Sequence, residues 1–150
     1  MHADVTLITS LYRTIDFLPR YLERASQLLT DTSQAGINVE LIIVANDVTD
    51  AENTLLTPFI KAHDSVKLIT VPRESLYASW NRGVQQATGH FIGFWNVDDI
   101  RFADALIKIT QPDYASCDLV YFPFYEEEHL NYWRIPVVLS KLTPALTYDA

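Results

Sequence analysis

The chain has 150 residues, 49% of them apolar, which suits one domain with a sizeable buried core and excludes a disordered polypeptide. Its 19 acidic and 11 basic side chains leave a formal charge of −8. That argues against a nucleic-acid partner, because affinity for a phosphate backbone comes from clustered lysine and arginine.

The first apolar run of strand length covers residues 5–9, and TLITSLYR presents Thr9, Ser10 and Tyr12 at its end. These hydroxyls suit a base, a ribose or a phosphate, or they simply close the strand and turn the chain. Phe17, Tyr21, Leu22, Ala25, Leu28 and Leu29 follow at spacings of three and four, an amphipathic helix. Residues 39–45 form a continuous β-branched run, as in a strand covered on both faces. Beyond it, IIVANDVTD offers Asn46, Asp47 and Asp50, which could pair with the donor face of a nucleobase or make an Asx turn. A third strand is expected over 66–71 and a fourth over 91–95.

Residues 75–99, SLYASWNRGVQQATGHFIGFWNVDD, run from an amphipathic helix through an apolar strand into an acidic turn. In an open α/β sheet, ligands bind beyond the carboxyl ends of the strands, so Asp98 and Asp99 are expected to emerge into the binding crevice. Magnesium or manganese fits there, held by one or two carboxylates with waters and substrate phosphates, and a phosphorylated substrate follows. The same aspartates could instead cap the helix expected near Phe102 or Ala103. Asn96 adds a third polar group at that strand mouth, more than a cap requires.

After about Asp113 the pattern changes. LVYFPFYEEEH, with an apolar run at 119–124, and NYWRIPVVL read as antiparallel strands without an intervening helix. Pro144 and the uncovered apolar end suggest a piece of something longer. Strands alternating with helices predict one Rossmann-like α/β domain over 1–150, with a mostly parallel sheet, flanking helices and right-handed crossovers. Cys117, the single cysteine, excludes an internal disulfide and reads as a small buried hydrophobe. No run approaches the roughly 20 apolar residues of a membrane span. The start lacks a signal-peptide pattern, so a cytoplasmic location is expected, with any membrane association running through a partner or a missing segment. His2, His63, His90 and His129 are too dispersed for a metal cluster. Trp80, Trp95 and Trp133 read as packing residues, and Tyr77 with Trp80 as one packing face of a helix.

The segments TSLYR, VANDVTD and ASWNRGVQQATGHFIGFWNVDD resemble, in this order, the nucleotide-binding part of GT-A fold glycosyltransferases of the family 2 type. That family's pattern is a T-x-x-Y-N-like turn, a strand ending in V-D-D-G-S-T-D, an A-x-N-x-G helix and a D-x-D-like strand end. The resemblance covers nearly the whole chain, and its third block is the most specific. It implies a GT-A fold and metal-assisted, inverting transfer of a sugar from a nucleotide-diphosphate sugar to a glycan or other hydroxyl acceptor. A UDP-sugar donor is favoured, and the setting implied is polysaccharide biosynthesis in the cytoplasm.

By position, the resemblance puts Thr9 near the uracil or its equivalent, with Ser10 beside it, and Arg73 near the base or diphosphate. Asn46 stands where the family has a base-recognising aspartate, and an amide donates as well as accepts. Asn81 matches the helix asparagine. Asn96 replaces the first aspartate of the acidic block, leaving Asp99 as the first choice of metal ligand and Asp98 toward the ribose or a metal-bound water. The family's catalytic base lies far downstream and is expected to be missing here. The nearest substitute, Glu126, Glu127 and Glu128, reads as a solvated turn, so no catalytic residue is assigned.

Two other readings stand beside this one. A nucleotide-sugar-binding module without turnover would keep the donor pocket and lack the base, and binding without transfer would distinguish it. A receiver-like signalling domain would carry an acidic pair after its first strand, where this chain has Thr9 and Ser10.

Overall fold

A computed structural model describes residues 2–120. In chain order they form β1 (Val5–Leu11), α1 (Leu18–Gln34), β2 (Val39–Asn46), α2 (Asp50–Ala62), β3 (Val66–Val71), α3 (Leu76–Gln86), β4 (Phe91–Phe94), α4 (Ala103–Ile109) and a 3-10 turn, Pro112–Tyr114. A compact unit runs to Ile107, and a second begins at Lys108. The described part of the second holds the end of α4 and the 3-10 turn.

The four strands of the first unit lie in the order β3-β2-β1-β4, and every pairing is parallel. Beta-branched β2 is buried at every position because it lies between two neighbours and under helices, whereas the edge strand β4 alternates between half-buried and exposed. Ile8, Ile42, Val44 and Val71 form a core against which Trp80 and Ala87 pack. The strands march from β1 to β3 in one direction, and β4 returns to the other side of β1. Such a reversal of strand order opens a crevice at the carboxyl edge.

Alpha helix α1 buries Leu18, Tyr21, Leu22, Ala25, Leu28, Leu29 and Thr32, the stripe expected from the spacing of its apolar residues. It starts without a side-chain cap. The carbonyl of Thr14 instead accepts from the N–H groups of Phe17 and Leu18, both at 2.9 Å. Helix α2 opens with a capping box, Thr49 accepting from the Glu52 N–H while Glu52 accepts from Thr49. Helix α3 is capped by Ser75, whose Oγ accepts from the Ala78 N–H. It lies so close to the sheet that a Cβ on Gly83 would stand 2.4 Å from Ile8 Cγ2, and in the turn that follows the helix a Cβ on Gly89 would stand 2.4 Å from the Thr6 nitrogen.

A buried carboxylate knits the amino end of the sheet. Glu40, 6% exposed, accepts from Thr6 Oγ1 at 2.7 Å, from the Thr88 N–H at 2.9 Å and from Lys67. Burial alone would raise its pKa. The hydrogen bonds from Lys67, Thr6 and Thr88, with the lysine charge, outweigh burial and hold it below the usual carboxylate value.

The parallel sheet and flanking helices are as expected, with differences at the strand ends. Strand β1 continues past Thr9 to Leu11, because Leu11 is another buried apolar position that pairs with Ala45. Thr9 and Ser10 therefore lie within the strand. Strand β4 stops at Phe94, although Trp95 remains fully buried. Tyr77 is 71% exposed and meets Trp80 edge-on, so it does not belong to the buried face of α3. Leu119 and Val120 carry no regular structure, and the rest of the expected antiparallel strands, with Glu126–128, lies outside the described residues.

Candidate functional site

Strand β1 pairs with β2 from Val5 to Leu11 but with β4 only from Val5 to Ile8. After the Trp95 N–H bonds the Ile8 carbonyl at 2.9 Å, the two strands part. The parting lies at the strand-order reversal, and its walls are the end of β1 and the turn after β4. Beneath it, Tyr21 donates to Thr9 Oγ1 at 2.8 Å and meets Trp95 edge-on, ring centroids 4.9 Å apart. Thr9, Tyr21 and Trp95 are all fully buried, and burial raises the Tyr21 pKa well above the ordinary phenol value despite the bond to Thr9.

The chain turns over residues 96–99. The Asp99 N–H donates to the Asn96 carbonyl at 3.2 Å, and Asn96 Nδ2 donates to Asp99 Oδ2 at 3.0 Å. The Trp95 indole N–H donates to the Asp99 carbonyl at 3.2 Å, so a core tryptophan anchors the acidic turn from below. Val97 points inward while Asp98 and Asp99 are exposed. Helix α4 begins only at Ala103, so neither aspartate occupies the cap position of that helix. Arg101 donates to the Phe94 carbonyl; burial lowers its pKa, and the nearby Asp99 charge works the other way.

Two adjoining loops at the same edge bring cations together. Tyr12 has the Arg73 guanidinium carbon 5.3 Å from its ring centroid and that of Arg13 at 5.6 Å, within the range of cation–π attraction. Arg13 adopts a left-handed backbone, φ 52°, and so does Asp47, φ 51°. Asp47 stands where the resembling pattern has glycine, the residue that takes this conformation without steric cost. Its N–H donates to the Val71 carbonyl at 2.9 Å.

Asn46 is 3% exposed and brackets the loop that carries Arg73. Its Nδ2 donates to the Glu74 carbonyl at 2.8 Å and to Ser79 Oγ at 3.3 Å, while its Oδ1 accepts from the Glu74 N–H at 2.9 Å. The Glu74 carboxylate in turn accepts from Ser79 and from the Arg82 Nε–H at 2.8 Å.

Of the residues singled out in the sequence, Asp98, Asp99 and Arg73 are exposed at the carboxyl edge, and Ser10 is half-buried where β1 leaves β4. Thr9 lies under the crevice, and Asn46 spends its amide on Glu74. Asn81 is exposed partway along α3, roughly 8 Å from the helix start. Among the described residues no group of three or more His, Cys, Asp or Glu side chains is placed to hold a metal. Asp98 and Asp99 alone match a magnesium- or manganese-type site that takes one or two carboxylates and leaves the other positions to water and phosphate. Tyr21, Glu52 and Glu74 were not legible as parts of the site, and Trp95, legible as a packing residue, was not legible as the anchor of the acidic turn. Only Glu52 had a local signal, the T-x-x-E spacing of a capping box.

The profile of glycosyl transferase family 2 matches residues 6–140, and the chain belongs to that family. It is 30% identical over 95 residues to the Bacillus subtilis (strain 168) protein named Putative glycosyltransferase EpsH, covering 63% of this chain and 26% of that one. It is 25% identical over 137 residues to glycosyltransferase GlyA of Streptococcus pneumoniae serotype 4, covering 87% of this chain and 18% of that one. The chain thus spans a minor part of the relatives it matches. Its fold is that of the mannosyltransferase PcManGT from Pyrobaculum calidifontis, solved in complex with GDP-Man and Mn2+, with a TM-score of 0.56 at 17% identity over 75% of this chain and 34% of that one. This is the GT-A fold. No described helix is long and apolar enough to cross a membrane.

Proposed function

We propose that this domain binds a nucleotide-diphosphate sugar together with manganese or magnesium, as the donor side of a cytoplasmic glycosyltransferase that inverts configuration at the sugar. The observation that carries this reading is the exposed Asp98–Asp99 pair at the strand-order reversal, at the same sheet edge as Arg13 and Arg73. Asp99, with Asp98 beside it, holds the cation, which when bound supplies Lewis-acid stabilisation of the departing nucleoside diphosphate. Arg73 and Arg13 face its anionic part, Tyr12 and Ser10 the base and ribose. Thr9 acts from below by setting the floor, and Asn46 by fixing the loop of Arg73. The acceptor is a glycan or another hydroxyl compound, and its proton is taken by a base from the acceptor-binding part. Family membership and the named ligands of the fold neighbour support the reading.

Calorimetric titration of UDP and GDP into the chain, with and without manganese, tests it. Manganese-dependent binding that disappears in Asp99→Ala is expected, and the tighter nucleotide identifies the base. A folded chain that binds neither nucleotide at millimolar concentration refutes the reading.

A further inference from the structure

Glu52 is 1% exposed, and no lysine, arginine or histidine among the described residues forms an ion pair with it. All its partners are uncharged donors from two loops. Oε2 accepts from the Thr49 N–H at 3.0 Å and Thr49 Oγ1 at 2.8 Å, which completes the capping box of α2. Oε1 has nothing to do with that cap. It accepts from the Thr14 N–H at 2.6 Å and from Thr14 Oγ1 at 3.2 Å, in the loop between β1 and α1. A helix cap alone needs only the first pair, so the second calls for a separate explanation.

Thr14 directly follows Arg13, whose left-handed backbone is costly for a residue with a Cβ and persists only where its surroundings impose it. The Thr14 carbonyl also starts α1 through Phe17 and Leu18. Fixing Thr14 therefore fixes both ends of the turn: the helix after it, and the Tyr12–Arg13 pair before it, whose Tyr12 ring lies against Arg73.

We propose that Glu52 is a positioning residue for nucleotide binding, which takes both Thr14 donors and so holds the left-handed turn at Arg13 that sets Tyr12 against Arg73. This rests on the reading of the carboxyl edge as a donor site. Glutamine in its place has one oxygen and one NH2 group, so it can accept from one of the two backbone N–H groups, and its own N–H groups must face the other. The capping box tolerates glutamine, so the Thr14 side is the one released.

The test uses the full chain, with UDP and GDP as probes in the presence of manganese. Glu52→Gln is expected to raise the Kd of the tighter nucleotide by about three- to tenfold, the worth of one hydrogen bond. Thr49→Ala loosens the cap without touching Thr14, and should lower the melting temperature with Kd unchanged. Combined with Tyr12→Ala, Glu52→Gln should add less than about twofold, because its effect passes through that turn. Amide exchange at Thr14 should accelerate in Glu52→Gln and not in Thr49→Ala. Thr14→Val, which removes only the longer bond, should raise Kd by about twofold and serves if Glu52→Gln does not fold. An unchanged Kd in Glu52→Gln, an equal rise in Thr49→Ala, or full additivity with Tyr12→Ala overturns the proposal. Failure of the unsubstituted chain to bind either nucleotide overturns the donor-site reading, whereas unaltered Thr14 exchange in Glu52→Gln overturns the anchoring itself.

Discussion

Replacing Asn46 by aspartate, the residue expected there from the resemblance, is predicted to destabilise this protein. The asparagine is an amide in use at both ends: Nδ2 donates to the Glu74 carbonyl at 2.8 Å, and Oδ1 accepts from the Glu74 N–H at 2.9 Å. A carboxylate keeps the second bond and strengthens it, since charge-assisted bonds are roughly twice as strong as neutral ones, a gain of about 1 kcal/mol. It loses the first, which leaves the Glu74 carbonyl facing an oxygen in a site only 3% exposed. An orphaned buried acceptor costs about 1–3 kcal/mol, and bringing the charge into that site adds to this. The net expectation for Asn46→Asp is a loss of about 2 kcal/mol, and for Asn46→Ala, which orphans both Glu74 groups, about 3 kcal/mol. With a urea m-value of about 2 kcal/mol/M, the aspartate variant should unfold at a midpoint lower by about 1 M. Urea titration followed by circular dichroism measures this, and nucleotide titration of the same variant shows whether the loop of Arg73 has moved. A midpoint that stays or rises, together with tighter nucleotide binding, would refute the bracket and return Asn46 to direct contact with the base.

Gly83→Ala places a methyl 2.4 Å from Ile8 Cγ2 in a fully buried contact, and should cost about 1–3 kcal/mol in thermal unfolding. Chelation of divalent cations, like Asp99→Ala, should abolish nucleotide binding while leaving the melting temperature of the free chain unchanged. In acid, Glu40 and Glu52 govern the stability profile. For both, burial raises the pKa but the hydrogen bonds outweigh it, so the folded values lie below the unfolded carboxylate value of about 4.3. The native state then binds fewer protons than the unfolded one, and the stabilisation is complete above that value and is lost as pH falls through the folded values. Urea midpoints between pH 6 and pH 3 should show a shallower acid limb in Glu40→Gln than in the unsubstituted chain, and equal slopes would refute the assignment.

Strand identity was legible because continuous β-branched runs such as 39–45 need burial on both faces, and helix α1 because its apolar residues recur at helical spacing. The strand ends were harder, since nothing in the local pattern says that Leu11 pairs with Ala45 while Trp95 leaves the sheet and stays buried. The same division runs through the candidate site. Asp98, Asp99 and Arg73 were readable because exposed charge at a strand end follows from order along the chain. Thr9 and Asn46 were readable as polar residues near the crevice but not as to direction. Their direction depends on Tyr21 and Glu74, partners 12 and 28 positions away.

This division has a physical origin, and it bears on where substitutions will act. An exposed carboxylate such as Asp99, whose single hydrogen bond among the described residues comes from Asn96 in the same turn, is defined mainly by its place on a strand end. A supporting polar residue is defined by donors and acceptors that converge from separate loops, and a buried one is tolerated only when those are satisfied. Glu52 and Asn46 each join two loops of the carboxyl edge, the first between β1 and β2, the second between β2 and β3. Glu52 fixes Thr14, which directly follows Arg13, and Asn46 fixes Glu74, which directly follows Arg73. The two guanidiniums that lie near the Tyr12 ring are thus placed by buried hydrogen bonds made before any ligand arrives, and an anionic ligand would be attracted to both.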